Sequence, residues 1–315
     1  MKYLDRNKPI ILYTTKIEQD SEAKYQQYIT HKLFLTQEDE EVWLQKIEEL
    51  RPDIIVIGPC NFTRNMLTKW KKTCLEKNLT LIQRGTNTSR IDIEAAKELN
   101  IRVKNTPGAN SPYVAKYMFD FINNPQIEIK KLAINPFGAI GRYLTDAAIT
   151  QKIKPFIYSP SLLNAESRQE QLDKYKVPED QVICVKDIGE VFKDSTHIAI
   201  SLPINDNTRN IIKIEHIKSI ASNAKLISVS PIAVFDKEAI KELCLREDIN
   251  VVFDGMKDQL KASLAGFIDV KDIRPNFIIQ GEAATTNEAQ RAMDDAVFAH
   301  IHTIFENLNN TREYR

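Results

Sequence analysis

The sequence predicts an α/β protein in two domains built on parallel sheets, and three observations carry that expectation. The chain has 315 residues, more than one small core accommodates and within the range of two domains. Short β-rich runs alternate with longer helical patterns, which is how parallel strands with crossover helices read. Finally, the runs 53–57 and 226–229 (Leu226-Ile227-Ser228-Val229) are too continuously apolar for a one-faced sheet, so helices are expected on both sides.

The elements follow in order. Ile10-Ile11-Leu12-Tyr13 opens as a strand and a polar helix follows; Asp53-Ile54-Ile55-Val56-Ile57 and Leu79-Thr80-Leu81-Ile82 repeat the pattern. Lys131-Leu132-Ala133-Ile134-Asn135 reads as a strand, then a tight turn, then a helix running from Gly141 through Ala148. The next strand ends Pro155-Phe156-Ile157-Tyr158-Ser159. The last helix is amphipathic and carries His300 and His302, and the polar end 307–315 is expected to fray. Only nine glycines occur, so Gly85, Gly108, Gly138 and Gly141 are expected to answer a backbone need.

Lys plus Arg equals Asp plus Glu at 43 each, which removes any net attraction to nucleic acid or an anionic membrane and points to a small-molecule or protein partner. Apolar residues at 43% and charged ones at 27% are those of an ordinary folded domain. No apolar run approaches the ~20 residues needed to span a bilayer, and the first nine residues lack a signal peptide's apolar core, so a cytoplasmic protein is expected. Cys60, Cys74, Cys184 and Cys244 are far apart with no histidine cluster, so reduced thiols and no metal site are expected.

Chemistry is suggested first at Pro136-Phe137-Gly138-Ala139-Ile140-Gly141. A strand, a tight turn and a helix opening form the context of a dinucleotide fingerprint, in which the second glycine lets backbone approach a pyrophosphate and the third lets helix pack on strand. Gly138 and Gly141 have that separation, whereas the first glycine position is Pro136, tolerable only where no positive φ is required. About 20 residues on, where an acid would bond the ribose of NAD, stands Ser159. A neutral residue there, with Arg168 following, admits NADP as readily as NAD.

Several stretches in order resemble the D-2-hydroxyacid dehydrogenases, the group of phosphoglycerate, glycerate and formate dehydrogenases, from about Asp53 to the last helix. Asn105-Thr106-Pro107-Gly108-Ala109-Asn110-Ser111 matches the family's N-T-P-G-x-N-S segment. Gly85-Thr86-Asn87-Thr88-Ser89-Arg90-Ile91-Asp92 is similar to its G-x-G-x-D-N-I-D loop, with Asn87 for the second glycine and Ser89-Arg90 for Asp-Asn. Ser201-Leu202-Pro203-Ile204-Asn205-Asp206-Asn207-Thr208-Arg209 is similar to H-L-P-x-T-x-x-T-R. The resemblance implies two doubly wound, Rossmann-like parallel-sheet domains with a hinged cleft between them. Residues 105–287 would be the dinucleotide-binding domain, inserted into a flavodoxin-like substrate domain of residues 1–104 plus 288–315. It also implies Leu202, Pro203, Thr208 and Ser230 along the cofactor, Asp254 on the nicotinamide carboxamide, and Gly85, Thr86, Asn87 and Asn105 around a substrate carboxylate. A homodimer is implied too. Phe62, Thr63 and Arg64 are suggestive for reading the substrate's side chain.

The family's catalytic groups do not carry over. Hydride transfer from a 2-hydroxy acid needs a cation to clamp the carboxylate and a base for the hydroxyl proton, with a carboxylate to orient the base. The resemblance puts Pro231 at the Arg position and Gln259 at the Glu position, with Asp258 offered by a one-residue slip; Glu282 or Gly281 falls at the His position. Glu282 would serve as a replacement base only if buried, with Arg84 or Arg90 as replacement clamp. Two readings result: an oxidoreductase with a rebuilt site acting on a small 2-hydroxy or 2-oxo acid, or a catalytically silent dinucleotide-binding protein that senses its ligand or engages another protein.

Overall fold

The computed structural model describes residues 9–35, 40–58, 60–124, 127–255, 257–266, 268–269 and 272–313, with the side chains of 257, 259, 260 and 308–313 outside the description. The chain forms two compact units, residues 1–110 with 287–315 and residues 111–286. The first crossing thus falls after the expected Asn105, because Asn105 is the last residue of a strand hydrogen-bonded into the first unit's sheet.

In the first unit, β1 (Ile11–Tyr13), β2 (His31–Lys32), β3 (Ile54–Ile57), β4 (Thr80–Gln83) and β5 (Arg102–Asn105) form an all-parallel sheet in the order β2-β1-β3-β4-β5. That is the flavodoxin-like doubly wound order. Strand alternation sorts the core into two faces. Leu12, Ile55, Ile57 and Leu81 meet α2 (Glu40–Leu50), α3 (Arg64–Thr73) and α4 (Ile93–Glu98) through Trp43, Ile47, Met66, Trp70 and Ala95. Ile11, Tyr13, Ile54, Val56 and Ile82 meet the C-terminal helix Asn287–Glu313 through Val297, Phe298 and Ile301, with Tyr25 of α1 (Gln19–Tyr25) packed against the same cluster. That helix runs through Glu313, further than the expected fraying from Asn307; Tyr314 and Arg315 lie outside the described residues, as do the first eight.

The second unit opens with α5 (Ser111–Ile122). Its sheet contains β6 (Leu132–Asn135), β7 (Phe156–Ile157), β8 (Ile183–Cys184), β9 (His197–Ile200), β10 (Lys225–Ser228), β11 (Asn250–Asp254) and β12 (Phe277–Gln280). All pairs are parallel, in the order β12-β11-β10-β9-β6-β7-β8. Leu132, Ile134, Ile157, Ala199 and Ile227 pack with α5, α6 (Gly141–Thr150) and α7 (Ala165–Lys174). Ala133, Ile198, Ile200, Leu226 and Phe253 pack with α8 (Ile188–Phe192), α9 (Ile214–Lys218) and α10 (Lys237–Leu245). The expected two-faced parallel sheets are therefore present in both units. Cys60, Cys74 and Cys244 are buried, Cys184 is half-buried, and all four are free. Among the described residues no three His, Cys, Asp or Glu side chains could hold a metal, and no helix is long and apolar enough to cross a membrane.

Several helices close on a left-handed residue that is not glycine. Lys152 (φ 60°) follows α6, its amide bonded to the Ile149 carbonyl while the Ile153 amide bonds to Ala148. Lys176 (φ 55°) follows α7 in the same pattern, with amide bonds to Asp173 and from Val177 to Leu172. These are Schellman closures, where glycine avoids a Cβ clash costing about 1–2 kcal/mol in an L-residue. Both lysines are exposed. Lys152→Gly and Lys176→Gly are each expected to stabilise by about 0.5–1 kcal/mol after glycine's extra chain entropy is subtracted. Thermal unfolding checks this: a lowered Tm for both would contradict it.

Candidate functional site

The chain enters the second sheet at its middle, on β6, moves outward through β7 and β8, then returns to β9 on the other side. The strand order reverses between β6 and β9, and open α/β sheets bind ligands outside the carboxyl ends at such a point. Asn135 and Ser201 meet there, the Ser201 amide donating to the Asn135 carbonyl at 2.8 Å.

The turn from β6 into α6 explains its glycines unequally. A Cβ on Gly141 would lie 1.9 Å from the Pro136 carbonyl oxygen and 3.3 Å from Ile134 Cγ2, so this is the glycine that lets helix approach strand. A Cβ on Gly138 would meet only Pro136 Cγ, at 3.7 Å. The protein's own packing does not require that glycine, and the space beside it is open. Phe137 is buried with its ring 5.8 Å from Tyr175, edge-on, while Ala139 is exposed and Ile140 half-buried. Ile140 caps α6 without a side-chain hydrogen bond. Arg142 stacks its guanidinium on Tyr143 and Tyr175, at 4.8 and 4.7 Å. At the end of β6, Asn135 is fully buried, yet neither atom of its side-chain amide has a partner among the described residues. A buried amide without partners costs about 1–3 kcal/mol, so the residues fit a polar group brought from outside.

Beyond β7, Ser159 is buried and shares a hydrogen bond with the Ser161 hydroxyl at 3.1 Å. Arg168 is held by Glu179, Nε to carboxylate 3.0 Å, instead of being left for a phosphate.

On the other side of the reversal the loop after β9 is braced from within. Leu202 is buried and Pro203 exposed; the Thr208 hydroxyl donates to the Pro203 carbonyl (2.6 Å) and accepts from the Asn205 amide (2.9 Å). Thr208 thus shapes the loop that carries Leu202 and Pro203. Ser230, after β10, is buried and its hydroxyl lacks a partner among the described residues. Asp254 ends β11 with its carboxylate accepting from the Glu282 amide (2.7 Å) and the Ala283 amide (3.1 Å); burial pushes its pKa up while those amides pull it down. Gly281 permits this closure, since a Cβ there would sit 2.5 Å from the Gly255 carbonyl oxygen.

The positions to which the family resemblance assigns catalysis are placed as follows. Pro231 is exposed and begins a short 3₁₀ turn at 232–234. Gln259 falls in α11 (Lys257–Ala265), its side chain outside the described residues, and the alternative Asp258 is exposed in that helix's first turn. Glu282 is exposed, so the burial a replacement base would need is absent. Instead its carboxylate accepts from the Tyr117 hydroxyl at 3.5 Å, and Tyr117 in turn accepts from Gln280. Burial first, then the charges of Asp254 and Glu282, push the Tyr117 hydroxyl up to about 12. Sequence reasoning missed Tyr117; its place at the edge of the apolar stripe Val114, Ala115, Met118 and Phe119 is the one signal the sequence offers for it.

In the first unit the loop after β4 is also built to shape. Gly85 has φ +120° with no atom within 4 Å of a Cβ, so glycine is required there by conformation alone. Its amide donates to the Thr106 hydroxyl (2.8 Å), Asn105 Nδ2 donates to the Thr86 carbonyl (2.8 Å), and the His300 ring contacts the Asn105 carbonyl at 2.9 Å. Asn87 does not take a positive φ, which is why it can replace a glycine, and its Oδ1 accepts from the Ser89 amide. Arg84 is not a clamp. Its side chain is 7% exposed and turned inward, Nε to Asp294 (2.6 Å) and Nη2 to the Gln290 carbonyl and side chain (3.0 and 2.9 Å).

Comparison with known proteins agrees with the fold. A hydroxypyruvate reductase from Thermotoga maritima is 26% identical over 191 residues, 53% of this chain and 58% of that one. A D-3-phosphoglycerate dehydrogenase from Methanocaldococcus jannaschii is 26% identical over 291 residues, 82% of this chain and 50% of that one. The chain therefore spans about half the length of the curated relatives it matches. The NAD+-bound 3-phosphoglycerate dehydrogenase of Entamoeba histolytica has the same fold, with a TM-score of 0.69 at 18% identity over 95% of this chain and 96% of that one. Residues 10–313 match the family described as D-isomer specific 2-hydroxyacid dehydrogenase, catalytic domain, and the chain belongs to that family.

Proposed function

We propose that this protein holds NAD(H) or NADP(H) at the carboxyl ends of β6, β9, β10 and β11 and does not turn over a 2-hydroxy acid by the family's acid–base route. The observation that supports it best is the pair of glycines after β6: Gly141 is needed by the fold, whereas Gly138 keeps open a space the fold leaves unfilled. Phe137, Gly138, Ala139, Ile140 and Gly141 would border a pyrophosphate, Ser159 a ribose, and Leu202, Pro203, Ser230 and Asp254 the second nucleotide. A neutral Ser159, with Arg168 already paired with Glu179, favours neither form of the adenosine ribose.

When bound, a nicotinamide supplies or accepts the hydride; the protein must supply the clamp and the proton. A positioned base contributes about 10²–10⁴ in rate, and an electrostatic clamp about 10² or more. Pro231 carries no charge, Arg84 is bound to Asp294, and Glu282 is exposed. The rebuilt-site reading is favoured by one contact, the Tyr117 hydroxyl on Glu282, but a hydroxyl held near 12 is far from the neutral range that suits proton transfer.

Titrating the protein with NADH and NADPH by fluorescence, then screening 2-oxo acids for their oxidation, tests both halves. Saturable binding with no oxidation of any acid is expected. Absence of binding refutes the dinucleotide reading, and turnover lost in Glu282→Gln would establish the rebuilt site.

A further inference from the structure

A dinucleotide spread across this topology lays one nucleotide over β6 to β8 and the other beyond the reversal, over β9 to β12. Two carboxylates stand at the carboxyl ends of that second half. Asp254 ends β11, Glu282 is the second residue after β12, and the Glu282 amide donates to Asp254 at 2.7 Å. Tyr117, the polar group beside them, stays neutral and lends a proton to Glu282. Neither carboxylate has an ion-pair partner among the described residues of this unit. Pro231 falls where the family resemblance expects an arginine, and Glu282 or Gly281 where it expects a histidine, so neither position supplies this end of the site with a cation. Two residues past the end of β10 the Ser230 hydroxyl is more than nine-tenths buried and unpartnered among the described residues, which leaves a polar group there for a ligand.

We propose that this half of the site prefers the oxidised, cationic nicotinamide over the reduced, neutral one, so that the protein reads the ratio of the two forms. The inference rests on the dinucleotide reading above. The two forms share every other group, and their difference in affinity is set by the charge the protein places around the ring. Two carboxylates without an ion-pair partner among the described residues of this unit stabilise the ring's positive charge and contribute nothing comparable to the neutral ring.

Calorimetric titration of the intact protein with NAD+, NADH, NADP+ and NADPH tests this. The oxidised member of whichever pair binds is expected to bind about tenfold more tightly or better, a ratio worth about 1.4 kcal/mol. Glu282→Gln, which keeps an acceptor for Tyr117, should bring the ratio toward unity; Glu282→Lys should invert it, and added salt should compress it. Equal affinities, tighter binding of the reduced form, or a ratio unmoved by both Glu282 variants overturns the preference and leaves the dinucleotide reading intact. Failure of all four dinucleotides to bind overturns both.

Discussion

Truncation of Asp294 to alanine is expected to cost the first unit about 3–5 kcal/mol, the range for removing one partner of a buried ion pair. Asp294 is fully buried, and its two oxygens accept from Arg84 Nε (2.6 Å), the Tyr13 hydroxyl (2.8 Å) and the Glu18 amide (2.9 Å). Removing the carboxylate strands a guanidinium that is itself 7% exposed and leaves a hydroxyl and an amide without acceptors. Arg84→Met is the milder change, because Asp294 then keeps two donors. The order Asp294→Ala, then Asp294→Asn, then Arg84→Met should therefore describe decreasing loss. Both tryptophans, Trp43 and Trp70, lie in the first unit's core, so their fluorescence during urea unfolding reports that unit alone. A midpoint for Asp294→Ala indistinguishable from the parent, or a larger loss for Arg84→Met, would contradict the assignment of Arg84 to the scaffold.

Arg84 also shows where sequence reasoning stops. The position beside the Gly85 loop was legible, and a cation next to a carboxylate-binding loop reads naturally as a clamp. Its true partners, Gln290 and Asp294, are more than two hundred residues away on another element, and only folding reveals that the guanidinium turns inward. Tyr117 fails to declare itself for the same reason, since Gln280 and Glu282 lie at the far end of the unit's sequence. By contrast, what depends on local pattern was readable. The strands at 54–57 and 225–228 lie within a residue of the apolar runs, because continuous burial on both sheet faces leaves few positions for polar residues. The departures from the family's glycines are intelligible only in three dimensions: Asn87 needs no positive φ, and Pro136 replaces a glycine beside the one, Gly141, whose missing Cβ cannot be spared. Motif position also does not fix a side chain's task, as Thr208 shows by spending its hydroxyl on Pro203 and Asn205.

The two glycines after β6 should separate when each becomes alanine. In Gly141→Ala the new Cβ would sit 1.9 Å from the Pro136 carbonyl oxygen and 3.0 Å from its carbon, both backbone atoms that no rotamer change can move. Either α6 lifts from β6 or the turn reshapes, and the expected cost is about 3 kcal/mol, the upper end of the usual overpacking range. Dinucleotide binding should be lost with it, since the amides at the start of α6 move too. In Gly138→Ala the Cβ meets only Pro136 Cγ at 3.7 Å, ordinary contact, so stability should change by about 0.5 kcal/mol or less. Its methyl group, however, enters the open space beside the turn where the proposed dinucleotide would lie, and affinity for it should fall about tenfold or more. Hydrogen exchange of the β6 and β9 amides reads the stability of this unit, and calorimetric titration reads the affinity. A Gly138→Ala variant that unfolds like Gly141→Ala would make both glycines structural. One that stays folded and binds as tightly as the parent would mean that the turn does not hold the dinucleotide.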